Sequence, residues 1–230
     1  GLFFRAPDGD TATLPNATLY NVQVYNSSTA GILTRRSTVT GDNVVINNAG
    51  TASLACTLGG TYTFRHCTFA NYNSTYNQVP VLVADNMENE DGTISVAPLN
   101  ATFANCIACG SGSFAIRHSR EGEDLGVAYN VAFNNCFIKF TDYSNQFASN
   151  NLYKFDNTGI VDYTGSSIAR NTTTLIPDFT DPRNNDLTIG PDSDAIGLGD
   201  PAIAALVPLD ILGTSRSASP DAGAYVHTSE

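Results

Sequence analysis

Thr63-Phe64-Arg65-His66-Cys67-Thr68-Phe69 is the stretch that decides the fold, because close variants of it return along the chain. A polar corner residue, Asn or His, is followed by a small one and flanked by apolar and β-branched residues. The phrase reads Leu19-Tyr20-Asn21-Val22-Gln23-Val24, then Asn43-Val44-Val45-Ile46, then Thr102-Phe103-Ala104-Asn105-Cys106-Ile107 and Ala132-Phe133-Asn134-Asn135-Cys136-Phe137-Ile138. From Asn21 the polar residue advances by 22, 23, 39 and 30 positions. A period of about 20–25 residues, stretched by insertions, is what stacked repeats leave in a sequence, since no single repeat can bury its apolar side alone.

Each repeat holds a second apolar run, at residues 31–34, 53–56, 80–83 and 113–116, and insertions at about 71–78, 85–98 and 119–126 are expected to project as loops. The resulting expectation is an all-β chain, a single-stranded right-handed parallel β-helix forming one domain over 1–230. Its repeats span about 19–140, and an irregular capping segment spans about 144–230. Asn21, Asn43, Asn105 and Asn135, with His66 substituting once, are expected to form a ladder at a turn where Asn tolerates left-handed backbone. Cys67, Cys106 and Cys136 share one repeat position and read as small buried residues stacked about 4.8 Å apart. The spacing Cys106-Ile107-Ala108-Cys109 resembles a redox or zinc pair, but no second pair and no βαβ context accompany it.

Composition narrows the function classes. Charged residues make up 14% of the chain, whereas Asn, Thr and Ser supply 66 of 230 residues, so polarity is carried by short neutral side chains that favour strands and turns. With a net charge of −11 and only 11 Lys and Arg, the chain lacks the basic clustering a nucleic-acid partner needs. No apolar run is long enough to span a bilayer as a helix. The start at Gly1-Leu2-Phe3, without Met, reads as a processed form or a fragment of a longer secreted protein.

After about Ser144 the repeat gives way to another series: Ile176-Pro177-Asp178-Phe179, Asp186-Leu187-Thr188-Ile189, Ser193-Asp194-Ala195-Ile196-Gly197-Leu198-Gly199, Asp210-Ile211-Leu212-Gly213-Thr214-Ser215-Arg216, and Pro220-Asp221-Ala222-Gly223-Ala224-Tyr225. This order resembles the C-terminal part of bacterial secreted right-handed parallel β-helix proteins of the pectin-lyase-like kind with a choice-of-anchor Q type pattern. The match is good at Ala195, Ile196, Gly199, Gly213, Arg216 and Asp221 to Tyr225. It departs at Asp194, where the family has Pro, and at Gly197, where it has Asp. The resemblance implies a secreted or cell-surface location and a polysaccharide context rather than a reaction. Read physically, the same tail is expected to close an open apolar end, with Arg216 paired to Asp210 or Asp221 and Tyr225 as a core anchor.

Elimination from a uronate needs a base and a positive charge beside the developing anion. Aligning the second runs places Arg35-Arg36, Ala55-Cys56, Ala84-Asp85 and Arg117-His118 together, which nominates Arg36, Asp85 and His118 as catalytic residues on one exposed face. Arg35, Arg65, His66, Tyr72, Tyr76 and Arg117 are the accompanying substrate-binding candidates, with Tyr62 as a further stacking ring. Calcium is a candidate ion at Glu88, Glu90 and Asp91 or at Asp178, Asp181 and Asp186, although neither set has EF-hand spacing. Three functions remain in play: a surface module that contacts carbohydrate, a polysaccharide lyase or hydrolase acting on a uronic-acid-containing glycan, and a structural or adhesive spacer.

Overall fold

The computed structural model describes residues 1–5, 16–74 and 77–228. Its strands begin with β1 (Leu2–Arg5), β2 (Asn16–Tyr20), β3 (Gln23–Tyr25), β4 (Ala30–Asp42), β5 (Val45–Asn47), β6 (Ala52–Arg65), β7 (Thr68–Asn71), β8 (Val79–Ala84), β9 (Asn86–Glu88) and β10 (Ile94–Val96). They continue with β11 (Leu99–Ala104), β12 (Ile107–Gly110), β13 (Ile116–Ser119), β14 (Tyr129–Asn134), β15 (Phe137–Phe140), β16 (Val161–Asp162), β17 (Ser167–Arg170), β18 (Phe179–Asp181) and β19 (Asp186–Ile189). Among the described residues the one α-helix is the single turn α1 (Pro201–Ala204), and no helix is long and apolar enough to cross a membrane.

Two large sheets are parallel throughout. In the nine-stranded sheet, β4 and β6 are long enough to serve two rows. Their first halves join β1, β8 and β13, and their second halves join β2, β11, β14 and β16. A six-stranded sheet runs β3-β5-β7-β12-β15-β17. The chain visits first row, second row and six-stranded sheet in rotation, moving one strand along at each return. Left-handed residues make the corners: Arg36 (φ 45°) and Leu58 (φ 55°) lie between the rows, and Asn26 (φ 57°) and Asn48 (φ 56°) lie on the way back to the first row.

The corner into the six-stranded sheet carries the recurring phrase. Asn21, Asn43, His66, Asn105 and Asn135 all have φ between 49° and 54°, a region Asn enters at low cost. Side chains bridge successive corners, Asn43 Nδ2 donating to Asn21 Oδ1 at 2.9 Å and Asn105 Nδ2 lying 2.9 Å from His66 Nε2. At the sixth corner Gly165 (φ 71°) replaces Asn because a Cβ there would stand 2.8 Å from Asn135 Oδ1. Just inside this corner the cysteines stack as expected. The amides of Val44, Cys67 and Cys106 each donate to the thiol one turn on, at Cys67, Cys106 and Cys136, all at 3.4 Å. All five cysteines are free and buried.

The enclosed interior is built on a column of rings. Phe64, Phe103, Phe133 and Tyr163 stack with centroids 5.6, 4.4 and 5.9 Å apart and planes within 13° of parallel. Each such pair adds about 0.5–1.5 kcal/mol beyond its area burial. Gly41 sits below the column because a Cβ at that position would meet the Phe64 ring at 2.6 Å.

The C-terminal region closes an end only in its first part: Phe147, Tyr153 and Phe155 pack around Phe140 with centroids 5.0–5.6 Å away, where the first row ends at β13. Residues 176–228 instead run back along the outer face of the six-stranded sheet. Ile189, Ala195 and Ala222 cover Ile107 and Phe137, while Leu187, Ala224 and Tyr225 cover Val45 and Ala70. Leu198 O accepts from Asn135 Nδ2, Asp200 N donates to Asn105 Oδ1, and Leu209 O accepts from Asn43 Nδ2, so the segment follows the ladder in reverse. Tyr225 is buried in this layer, as expected. Arg216 is not paired as expected, and no ion pair joins it to Asp210 or Asp221 among the described residues. It donates Nη2 to Asn43 Oδ1 at 2.8 Å, while the two carboxylates accept backbone N–H groups of nearby turns. Burial pulls the Arg216 pKa down to about 10 against the opposing pull of Asp210 and Asp221.

Candidate functional site

Strand register settles where the expected catalytic trio lies. Thr34, Cys56, Val83 and His118 form one column, and Leu33, Ala55, Leu82 and Arg117 form the one before it. The alignment that placed Arg117-His118 beside Arg35-Arg36 is therefore two residues out, and because Asp85 and His118 are both buried the trio does not share an exposed face. His118 points inward beside the ring column. Its Nδ1 lies 2.9 Å from Tyr129 Oη and its Nε2 3.1 Å from Tyr163 Oη, while its backbone N–H donates to Tyr153 Oη. Burial takes its pKa down to about 3. Asp85 is also fully buried, accepting from the amides of Glu121 and Gly122 and from Asn86 Nδ2, so that it pins two insertions to the corner. Arg36 remains at the corner between the rows, half-buried.

The binding candidates divide in the same way. His66 is a buried rung of the ladder, its pKa lowered to about 3 by burial and then by the charge of Arg216. Arg65 forms a two-pronged ion pair with Asp42 at 2.7 and 2.8 Å, and Arg35 lies over the Phe3 ring with Cζ 5.5 Å from its centroid. Tyr62 is interior, donating its hydroxyl to Gly59 O. Tyr76 lies outside the described residues. Acids nominated for calcium cap turns instead: Asp91 binds Thr93, Asp186 binds Thr188, Asp181 accepts from Asn184 and Asp178 from the amide of Asp192. Among the described residues no three His, Cys, Asp or Glu gather as a metal site.

Tyr72 and Arg117 do meet a common surface feature. Three adjoining depressions follow the edge between the six-stranded sheet and the first row. The first, about 420 Å³, holds Tyr72, Lys139, Thr172 and Arg183. The second, about 440 Å³, shares Ser111 with the first and holds Asn73, Gln78 and Arg117. The third, about 370 Å³, shares Phe114 and Arg117 with the second and reaches Gln146 and Asn150. Tyr72 is held by an edge-to-face contact with Phe179 at 6.2 Å and by its hydroxyl 3.7 Å from Cys109 Sγ, and burial raises its pKa. Lys139 is anchored by a bond from Nζ to Gly110 O at 2.8 Å. Gln78 is almost fully buried. Its Nε2 donates to Ser111 Oγ at 2.8 Å, while its Oε1 has no hydrogen-bond partner among the described residues.

Gln78 Oε1 is thus a buried acceptor without a donor among the described residues, a state that costs about 1–3 kcal/mol. Arg117, Lys139 and Arg183 line the groove and, among the described residues, no Asp or Glu does, in a chain where Asp and Glu number 22 against 11 Lys and Arg. Sequence reasoning missed Lys139 and Arg183 because the first depression forms only once residues 172–183 lie against the sheet, and missed Gln78 because it sits in an insertion whose spacing carries no register. No protein-family model, no curated protein and no solved structure matches this chain.

Proposed function

We propose that the chain is a right-handed parallel β-helix module, secreted or surface-attached in a bacterium, that binds carbohydrate in the groove between Arg183 and Asn150. The cluster of Arg117, Lys139 and Arg183 in a groove without a lining Asp or Glu among the described residues carries this reading, since these donors suit the hydroxyl and carboxylate oxygens of a glycan. Tyr72 supplies an aromatic face, Ser111, Thr172 and Asn73 supply hydroxyl and amide partners, and the three cations favour an acidic glycan. Binding is favoured over hydrolysis because the two-carboxyl arrangement of most glycosidases has no member among the groove's lining residues. Affinity electrophoresis in gels cast with polygalacturonate, alginate or neutral glucan tests the proposal. Retardation is expected in the acidic gels, weakening with salt and falling at least about five-fold in Arg117→Ala/Arg183→Ala, where each lost charge contact costs about 1 kcal/mol. Unretarded migration in every gel would refute it.

A further inference from the structure

The second row of the nine-stranded sheet carries an ordered lattice on its outer face. Across β2, β4, β6, β11 and β14 one outward column reads Asn16, Thr38, Thr61, Asn100, Asn130, and the next reads Thr18, Thr40, Thr63, Thr102, Ala132. Pairing is in register over all ten positions, and the irregularity between β4 and β6 lies outside them, between Arg35 and Ser37. The alternate residues Val39, Tyr62, Ala101 and Val131 face inward and are buried. Sheet geometry sets the repeats at about 4.7–4.9 Å across strands and about 6.6–6.8 Å along them.

Chemistry on this face is as uniform as its geometry. The hydroxyls of Thr18, Thr38, Thr40, Thr61, Thr63 and Thr102 make no hydrogen bond to the protein among the described residues, while Asn130 Nδ2 donates to Asn100 Oδ1 at 2.8 Å. None of the ten positions is charged, although the chain carries a net −11. The neighbouring column holds charge only as the mutual Asp42–Arg65 pair, and the second column ends beyond Ala132 at Asp162 on β16. Threonine is stiff at χ1, and the stacked rings beneath hold the backbone, so hydroxyls and methyls keep their places without further loss of entropy.

A charged side chain imposes its own hydration shell, whereas a methyl restricts its first-shell water and a hydroxyl bonds it. Repeated on a fixed rectangular lattice, methyl and hydroxyl together impose a lattice on that water. The repeat across strands lies near the shorter spacing of the oxygen rows on the prism face of hexagonal ice, and the repeat along strands falls somewhat below the longer one. We propose that this face binds ice, the ligand being crystalline water held by ordered water over the threonine columns. The surface is separate from the carbohydrate groove, so the two readings stand or fall apart.

Growth of a single ice crystal in a nanolitre osmometer tests it. Faceting is expected, with a gap between melting and growth temperatures that widens with protein concentration. Thr61→Lys and Thr102→Lys, both at exposed positions, are expected to reduce the gap at least about ten-fold with circular-dichroism melting curves unchanged. Arg117→Ala in the groove is expected to leave the gap intact. Ice growth indistinguishable from that in an albumin solution would overturn the proposal, as would a gap that survives both lysine substitutions. Retention on crystalline cellulose or chitin without any effect on ice would also overturn it, assigning the lattice to a polysaccharide surface.

Discussion

His118 shows how burial turns a plausible catalytic residue into a structural one. Its ring is enclosed by Tyr129, Tyr153 and Tyr163, and both nitrogens are within hydrogen-bond distance of tyrosine hydroxyls. Folding depresses the pKa of both His118 and His66 to about 3, from about 6.5 in an unfolded chain. Between those values the unfolded chain binds protons that the folded chain refuses. Stability is therefore complete above about pH 6.5 and falls on acidification at about 1.4 kcal/mol per pH unit for each imidazole. Urea midpoints measured from pH 7 to pH 4 should follow that slope. His118→Gln is expected to cost about 1–3 kcal/mol at pH 7 and to remove roughly half of the imidazole contribution. An unchanged slope in the variant would place the acid sensitivity elsewhere.

At the scale of elements, the corner residues were legible and the coverage was not. Asn21, Asn43, Asn105 and Asn135, with His66, could be read because left-handed backbone selects a narrow set of residues and the choice repeats. The first-row register was missed because Leu58, Gly59 and Gly60 all have positive φ and insertions follow β8 and β13, so spacing there does not measure position. One available signal went unused. β5, β7 and β12 are buried at every residue, and short strands without a charged residue or a polar–apolar alternation mark a sheet covered on both faces. The covering layer is as tightly fitted as the interior: Ala224 is fully buried against Val45, Ala70 and Leu187. Ala224→Glu would place a carboxylate there without a partner and is expected to cost at least about 3 kcal/mol. Hydrogen exchange should then lose protection across residues 176–228 and in β5 and β7, while the Phe64–Phe133 column keeps its own.

For the whole molecule, five buried thiols without a disulfide mean that stability rests on non-covalent contacts. Burial holds the Cys67 and Cys136 thiols well above their ordinary pKa. Labelling by a thiol reagent is therefore expected to wait for unfolding, and reductant should leave the melting temperature unchanged. Modification of any thiol much faster than unfolding would show an opening this packing does not provide. The reversed course of the C-terminal layer has a temporal side as well. Tyr225 Oη accepts from Gln23 Nε2 across 202 residues of sequence, and Arg216 reaches back to Asn43 across 173. During synthesis the turns around Gln23 and Asn43 thus leave the ribosome lacking the residues that will cover them, and contacts this distant are slow to form. Residues 216–225 complete the turns at residues 23–43, so the nascent chain stays unfinished there, and open to a chaperone or an export machine, until those later residues emerge.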